Sequence, residues 1–594
     1  MKQAIIILGA GVMQGPAINI AKELGLYAIA LDGSTSAPCI SMADRFEQID
    51  LKDKEGIEAF ARSIQGSYDR IGIMTAGTDF SASVAWVAEK LGLPGIPYEA
   101  ALNASDKGRM RECFRKSGLP SPPFYILTSN DLSRSSPRRA VLDKPSTHNS
   151  SQTDFTCAGT FCIDSSTPLN EVHLRFPVVI KPVDNMGSRG CRRVDSAEEF
   201  PEAAKSAIGF SRSGRAIVES YMDGPEFSVD AIVYKGEITI CGLADRHIFF
   251  PPYFIEMGHT MPTVIDLEKQ KAMLDTFCQG INALGIIGKD YIGAAKGDIK
   301  LTANGAMIGE IAARLSGGYM SGWTYPYSSG ALPIKAAIQT AMGYEPDCLT
   351  QTKKWTCAER AFISIPGTVK QIVGMQEAQK TEHVNNFFLR IKEGDKVAFP
   401  ENNVTKCGNI IASASDRETA IRSAETAARS VLIRLDPADM ETGKFLEEFT
   451  TNSFPPDAFQ LTDELKSALA KIPEFTTNQH EPVPVVLTRT RESDMTKSSC
   501  GLWLKNEINL IPFPELETSN LRDYMGRTVQ EALDAVRFLT GFPLPKAAEN
   551  AENITRLDRS FWIALIRGSY QGAVYYIDKL EEAWAKSKVY SYCS

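Results

Sequence analysis

Two acidic residues and an arginine in the middle of the chain carry the strongest chemical signal. In residues 288–318, GKDYIGAAKGDIKLTANGAMIGEIAARLSGG, Asp298 and Glu310 fall on two short runs, and Arg314 follows Glu310 by four. Residues 293–300 and 306–313 are predicted as strands, with Asn304-Gly305 between them as a hairpin signal. Such a hairpin sets the two carboxylates side by side, where they repel unless a cation lies between them. Hard oxygen ligands of this kind suit Mg2+, which takes one or two carboxylates and completes its shell with phosphate oxygens and water. Arg314 then places fixed positive charge beside a phosphorylated species. An amphipathic hairpin with solvated charges is the alternative that the hairpin alone leaves open.

Upstream residues bear on that choice. Lys107 follows Asp106 at the start of a helical stretch that ends at Gly118. In FPVVIKPVDNMGSRGCRRV a β-rich run ends at Lys181, and a loop with Gly187, Ser188 and Gly190 follows. Glycines let a backbone close over phosphates, and a lysine meets their charge as a point cation. A hairpin with a mobile tip is the plainer reading of the same residues. In AIVESYMDGPEFSVDAIVYKGEITI, Glu219 ends a strand and Glu226 lies seven residues on. The connector between them offers backbone groups and the Met222 side chain to a planar heterocycle, and Glu226 suits ribose hydroxyls.

The elements that must position these residues follow from the rest of the chain. Its 594 residues call for three or four domains, and 43% apolar and 23% charged content is ordinary for a soluble globular protein. The net charge of −8 argues against nucleic-acid binding. Twelve cysteines without a CxxC and no signal peptide point to reduced thiols in the cytoplasm. Six histidines lack zinc-site spacing, and no apolar run reaches bilayer length. At the N-terminus, Ala4–Leu8, a helix at Ala17–Leu24, Ala28–Leu31 and Ile71–Thr75 alternate as in a doubly wound parallel sheet. Gly9, Gly11 and Gly15 with Asp32 invite a dinucleotide reading, but the GxGxxxG spacing and Pro16 weaken it.

Lys107, then Lys181 with its Gly-Ser loop, then Glu219 and Glu226, then Asp298, Glu310 and Arg314 together resemble the ATP-grasp superfamily over roughly residues 1–430. The resemblance is to its carboxylate–amine ligases (L-amino-acid ligase-like), and more distantly to biotin carboxylase and D-alanine–D-alanine ligase. It implies an α/β and α+β multidomain chain that uses ATP and Mg2+ (or Mn2+). An N-terminal α/β domain over 1–98 would precede an ATP-grasp domain over 99–345, with an insertion at 129–173. A β-rich domain over 346–450 and a linker with a mostly helical domain over 451–594 would follow. In this frame Lys107 and Lys181 hold the nucleotide phosphates, and the loop around Ser188 closes over them. Glu219 and the backbone near Met222 contact adenine, and Glu226 the ribose. Asp298 and Glu310 ligate the metal, while Arg314 steadies the acyl phosphate.

The residues depart from the family pattern at two ligands: Glu-x-Asn-x-Arg is here Glu310-Ile311-Ala312-Ala313-Arg314, where Ala312 cannot ligate, and the first acid is Asp298 where Glu is common, a shorter but competent ligand. The segment DRHIFFPPYFIEMGHTMP corresponds to the region that lines the carboxylate-substrate site in amino-acid ligases. Arg246 would meet a carboxylate and Glu256 an ammonium. His259 is a ligand or a core histidine, and Ser316-Gly317 would bring backbone N–H groups near the reacting acyl group. The implied function is a ligase that activates a small carboxylate and joins it to an amine. A biotin-type carboxylase and a nucleotide-binding protein of the same fold with lost activity are the alternatives. The partners expected are small molecules, with neither nucleic acid nor membrane. The helical tail is a candidate for homodimer contacts.

Overall fold

A computed structural model describes residues 2–133, 176–447 and 559–591, with residues 467, 528, 531, 532 and 534–536. All but a few residues of the expected 129–173 insertion, and of the expected linker and helical domain over 451–594 ahead of residue 559, lie outside the described residues. The chain divides into two compact units. The first holds Met1–Arg360, Glu401–Asn403 and Ile411–Ala424, and the second holds Ala361–Pro400, Val404–Ile410 and Glu425–Ser594.

The first unit opens with β1 (Gln3–Leu8), β2 (Tyr27–Asp32), β3 (Arg45–Gln48) and β4 (Arg70–Thr75), all parallel in the order β3-β2-β1-β4. The continuous apolar run Ala4–Leu8 is wholly buried, as a strand covered on both faces requires. The fold is thus mixed α/β with a parallel N-terminal sheet. The glycine turn after β1 is filled from within: Gly11 N–H donates to Gln14 Oε1 at 3.0 Å, and Gln14 Nε2 donates to the Ala76 carbonyl. Asp32 accepts from Ala10 N–H and Ser34 N–H, both at 2.9 Å. Its carboxylate braces the turn, which accounts for its place at the end of β2 without a ribose.

A second sheet holds β5 (Phe124–Thr128), β6 (Val178–Pro182), β7 (Arg192–Val194) and β8 (Arg215–Ser220) in the antiparallel order β5-β8-β6-β7. Ala203, Ala204 and Ala207 of the helix Phe200–Phe210 pack with Val178, Ile180 and Val218 on one side of it. Lys181 and Glu219 emerge on neighbouring strands.

The third layer runs β13-β12-β9-β10-β11-β14 within one antiparallel sheet: β9 (Glu226–Tyr234), β10 (Glu237–Phe249), β11 (Ile255–Met261), β12 (Ile292–Thr302), β13 (Gly305–Ala312) and β14 (Thr356–Phe362). The expected hairpin forms, with its tip one residue earlier: Thr302 pairs with Gly305, so Ala303-Asn304 is the turn. Gly305, at φ 104°, opens the returning strand in a conformation that favours glycine. A side chain on Gly297 would come within 2.6 Å of the Phe277 ring, on the helix Leu267–Ala283 beneath the sheet. Strand alternation therefore sends Gly297 and Ile299 toward that helix and Lys296, Asp298 and Lys300 to the opposite face.

In the second unit, β15 (Gly367–Val373), β17 (Lys396–Val397) and β19 (Leu432–Leu435) form a sheet in the order β17-β15-β19, accompanied by β16 (Val384–Leu389) and the start of β18 (Gly408–Ala414). The sequence DRETAIRSAETAARSVLIRL reads as one helix over 416–435, but the helix ends at Ser430. The residues Leu432–Leu435 are instead β19, because their Leu and Ile side chains gain more from pairing with β15 than from helical continuation. Phe561, Trp562 and Leu565 of the terminal helix Arg559–Ser591 pack with Leu432. Gln571 ties that helix down: its Nε2 donates to Ser364 Oγ at 2.7 Å and to the Ile433 carbonyl at 2.9 Å, and its Oε1 accepts from Ile365 N–H at 3.1 Å. Among the described residues no helix is long and apolar enough to cross a membrane.

Candidate active site

Glu310 sits at the centre of a ring of cations. Its register partner across the β12–β13 ladder is Asp298, so the two carboxylates rise from neighbouring strands as the hairpin required. Lys107 Nζ lies 3.6 Å from Glu310 Oε2 and donates to the Asn185 carbonyl at 2.8 Å. Burial alone would raise the Glu310 pKa, but Lys107, Lys296, Lys181 and Arg314 overcome it and hold the carboxyl at about 2. Burial likewise opposes charge on Lys107, yet Glu310 and then Asp79 keep its pKa above the ordinary lysine value.

Lys181 is aimed by a buried relay. Its Nζ lies 2.7 Å from Glu219 Oε2, and Arg111 Nε lies 2.6 Å from Glu219 Oε1. Arg111 also donates to the Gly309 carbonyl at 2.8 Å, beside Glu310. Glu219 is 1% exposed; burial would raise its pKa, but Arg111 and Lys181 pull it down to about 2. The Glu219 carboxylate is thus engaged in orienting Lys181. Arg111 was not singled out from the sequence, where KGRMRECFRK reads as a solvated helix face.

The loop after Lys181 turns through three residues with left-handed backbone. Gly187 and Gly190 have φ near 66° and 68°, and Ser188 is held at φ 60° without being a glycine. A side chain at Gly190 would meet Phe210 at 2.9 Å. Farther along, Gly224 lets the Glu219–Glu226 connector lie on the Leu301 carbonyl, which an added Cβ would approach to 2.1 Å. Met222 is half-buried in that connector, next to Tyr221, whose ring stacks on Phe254 with centroids 6.4 Å apart.

Arg314 is 8% exposed and has no carboxylate within ion-pair distance among the described residues. Its Nη1 donates to the neighbouring Leu315 carbonyl at 3.1 Å, and its Nε is buried without a hydrogen-bond partner. A buried guanidinium with open donors suits an anion. Ser316 after it is pinned to Asp230 through its N–H at 3.1 Å and its hydroxyl at 2.6 Å. Burial raises the Asp230 pKa to about 6 against those hydrogen bonds. Gly317 packs on Gly77 so closely that an added Cβ would lie 3.2 Å from the Gly77 carbonyl oxygen.

Arg246 is placed differently from its expected role. It pairs with Glu226, with Glu256 at 2.8 Å and with Asp298 at 2.9 Å. Burial disfavours its charge, but those three carboxylates raise its pKa well above the ordinary arginine value. Lys300 adds a contact to Glu226 at 3.6 Å, and Lys296 pairs with Asp298. His259 is wholly buried, with Nε2 3.0 Å from Thr324 Oγ1 and Nδ1 3.3 Å from Glu359 Oε2. It lies in the core of the sheet. Lys296, Asp230 and Arg111 are the charged residues that the sequence reading missed. Asp230 alone had a signal, an acid lodged between Val229 and Ala231-Ile232-Val233 in β9.

These residues fit a divalent cation on geometry. Two carboxylates from adjacent strands face one another, and Glu310 stays ionised. Among the described residues no group of three or more His, Cys, Asp or Glu is placed to hold a metal ion by itself, so a cation here would need phosphate oxygens and water to complete its shell. Ala312 on β13 brings no donor.

Comparison with known proteins identifies the fold around this geometry. Residues 174–321 match an ATP-grasp domain, and residues 361–436 match the L-amino acid ligase C-terminal domain 2. A D-alanine–D-alanine ligase of Pseudomonas fluorescens is 25% identical over 283 residues, 45% of this chain and 76% of that one. An uncharacterised protein, y4rH, of Sinorhizobium fredii is 21% identical over 463 residues, covering 77% of this chain and 87% of its own length. The L-amino acid ligase from Bacillus licheniformis superposes with a TM-score of 0.58 at 20% identity, over 73% of this chain and 99% of that structure. The chain thus carries an ATP-grasp domain and resembles the carboxylate–amine ligases and carboxylases of that superfamily.

Proposed function

We propose that this protein is an ATP- and Mg2+-dependent ligase that activates a small carboxylate as an acyl phosphate and joins it to an amine. The observation that carries this reading is the cation ring around Glu310, together with the open, buried guanidinium of Arg314. Such a constellation neutralises and positions phosphates, which is most of what phosphoryl transfer asks of a protein.

In this reading Lys107 and Lys181 hold the nucleotide phosphates, and Glu219 and Arg111 keep Lys181 pointed at them. The loop through Ser188 covers the phosphates with backbone N–H groups. The connector through Met222 receives the adenine, and Glu226 accepts from the ribose. Mg2+ held by Asp298 and Glu310 would supply charge neutralisation at the phosphates. The substrate carboxylate attacks the γ-phosphorus and ADP leaves; the amine nitrogen then attacks the acyl carbon, phosphate departs, and the nitrogen loses its proton. Arg314 contributes where the charge grows, and the Ser316-Gly317 turn, braced by Asp230, keeps backbone donors beside the acyl group.

The test is phosphate release from ATP by the full chain, screened against pairs of amino acids and small carboxylates. Release that requires both a carboxylate and an amine, with a coupled product by mass spectrometry, is the expected result. Release that requires biotin and bicarbonate, or no release with any pair, would overturn it.

A further inference from the structure

The segment 401–403 reaches the site from far along the chain, and one residue in it grips two loops at once. Asn403 N–H donates to the Gly187 carbonyl at 3.0 Å, and Asn403 Nδ2 donates to Ser188 Oγ at 3.2 Å. On its other side Asn403 Oδ1 accepts from Glu256 N–H at 2.7 Å. Glu401 adds a hydrogen bond from the Tyr253 hydroxyl. Strand β7, which follows the glycine loop, also meets the second loop where Arg193 N–H donates to the Pro252 carbonyl at 2.8 Å. Ser188 is a non-glycine residue held in the left-handed region at φ 60°, a conformation that persists only where surrounding contacts impose it. Asn403 supplies such contacts on both sides of the Gly187–Ser188 peptide.

We propose that Asn403 is a positioning residue that latches the glycine loop at 184–190 to the start of β11 and the aromatic loop at 250–254 that leads into it, so that the two close as one unit. The proposal rests on the reading that the first loop covers nucleotide phosphates and the second borders the carboxylate substrate. The latch makes closure over the phosphates depend on the order of the substrate-side loop, and thereby limits access of water to the activated phosphate.

The glycine loop carries its own reporter, because trypsin can cut after Arg189 only when the loop leaves its place. In the full chain without nucleotide, Asn403→Ala should be cut after Arg189 roughly five- to thirty-fold faster than wild type, the scale of one or two lost hydrogen bonds. The melting temperature should be nearly unchanged. A Ser188→Cys/Asn403→Cys double variant should resist that cut when oxidised and regain it on reduction, which tests the latch even if Asn403→Ala folds poorly. Wild-type cleavage in Asn403→Ala together with no protection in the oxidised double variant would overturn the latch. MgADP is added in a separate arm: it should protect Arg189 in wild type and require higher concentration in Asn403→Ala. No effect of MgADP on wild-type cleavage would count against the nucleotide reading, while the nucleotide-free arm judges the latch independently.

Discussion

Arg314 and Arg246 are both nearly buried arginines in the first unit, yet they offer opposite chemistry. Arg246 is surrounded by Glu226, Glu256 and Asp298, so its charge is neutralised inside the protein. Among the described residues Arg314 donates to the carbonyl of its own neighbour, has no carboxylate at ion-pair distance, and keeps a buried Nε without a hydrogen-bond partner. A cation already matched by carboxylates holds a sheet face together, whereas an unmatched one is held ready for an incoming anion. Arg246, expected to meet a substrate carboxylate, instead meets three of the protein's own; we propose that the incoming anion goes to Arg314.

The sharpest way to break this contrast is to remove Arg314. Arg314→Ala should lower turnover by about 10²–10³-fold, the scale of losing one preorganised donor at developing charge. Nucleotide affinity should fall far less. Arg314→Lys keeps a charge but not the planar fork and should recover only part of the rate. Calorimetry and kinetics on the same preparations check this, and equal losses in affinity and turnover would reduce Arg314 to a binding contact.

Arg246→Met should do its main damage to folding. Removing one partner from a buried cluster leaves carboxylates facing each other, at a cost of roughly 3 kcal/mol. Chemical denaturation measures it. A variant with unchanged stability and a large loss of turnover would return Arg246 to the substrate site.

The hairpin with Asp298 and Glu310, the Lys107 helix and the Lys181 loop were legible because turn residues and alternation are local properties. The roles of the charges were not, because they depend on which residues meet across strands. Lys296, two residues before Asp298, looks like any solvated strand lysine until β12 turns that face inward. Arg111 looks exposed on its helix until Glu219 arrives from β8. Asn403 gives no sign at all, since Gly187, Ser188 and Glu256 lie more than a hundred residues away in the chain. The same distance problem hid β19, whose partner β15 had to be present before Leu432–Leu435 could be a strand rather than the end of a helix.

Glu219 offers a pH test of the relay that aims Lys181. Its folded pKa of about 2 lies below the ordinary value of 4.5, so it stabilises the fold above about pH 4.5. That contribution is lost as pH falls through the range toward 2. Glu219→Gln should therefore be less stable than wild type at pH 7, with the difference shrinking below pH 4.5. Melting temperatures across that range decide it; a constant difference would mean that the carboxylate charge does not contribute.

The smallest effect expected is at Asp230, which works one step removed from Arg314 by bracing Ser316. Its folded pKa of about 6 lies above the ordinary 3.8. Its ionisation therefore costs stability: the favourable contribution is complete below about pH 3.8 and is lost as pH rises through 6. Activity should run the other way, because only the carboxylate accepts from both the N–H and the hydroxyl of Ser316 in full. Turnover should decline below pH 6, and Asp230→Asn should sit on a plateau lowered by about tenfold, near the cost of one weakened hydrogen bond. It should lack that acidic limb while gaining stability relative to wild type as pH rises from 4 to 7. An unchanged pH–rate profile in Asp230→Asn would detach Ser316 from the chemistry. It would leave Arg314 to act without a braced turn beside it.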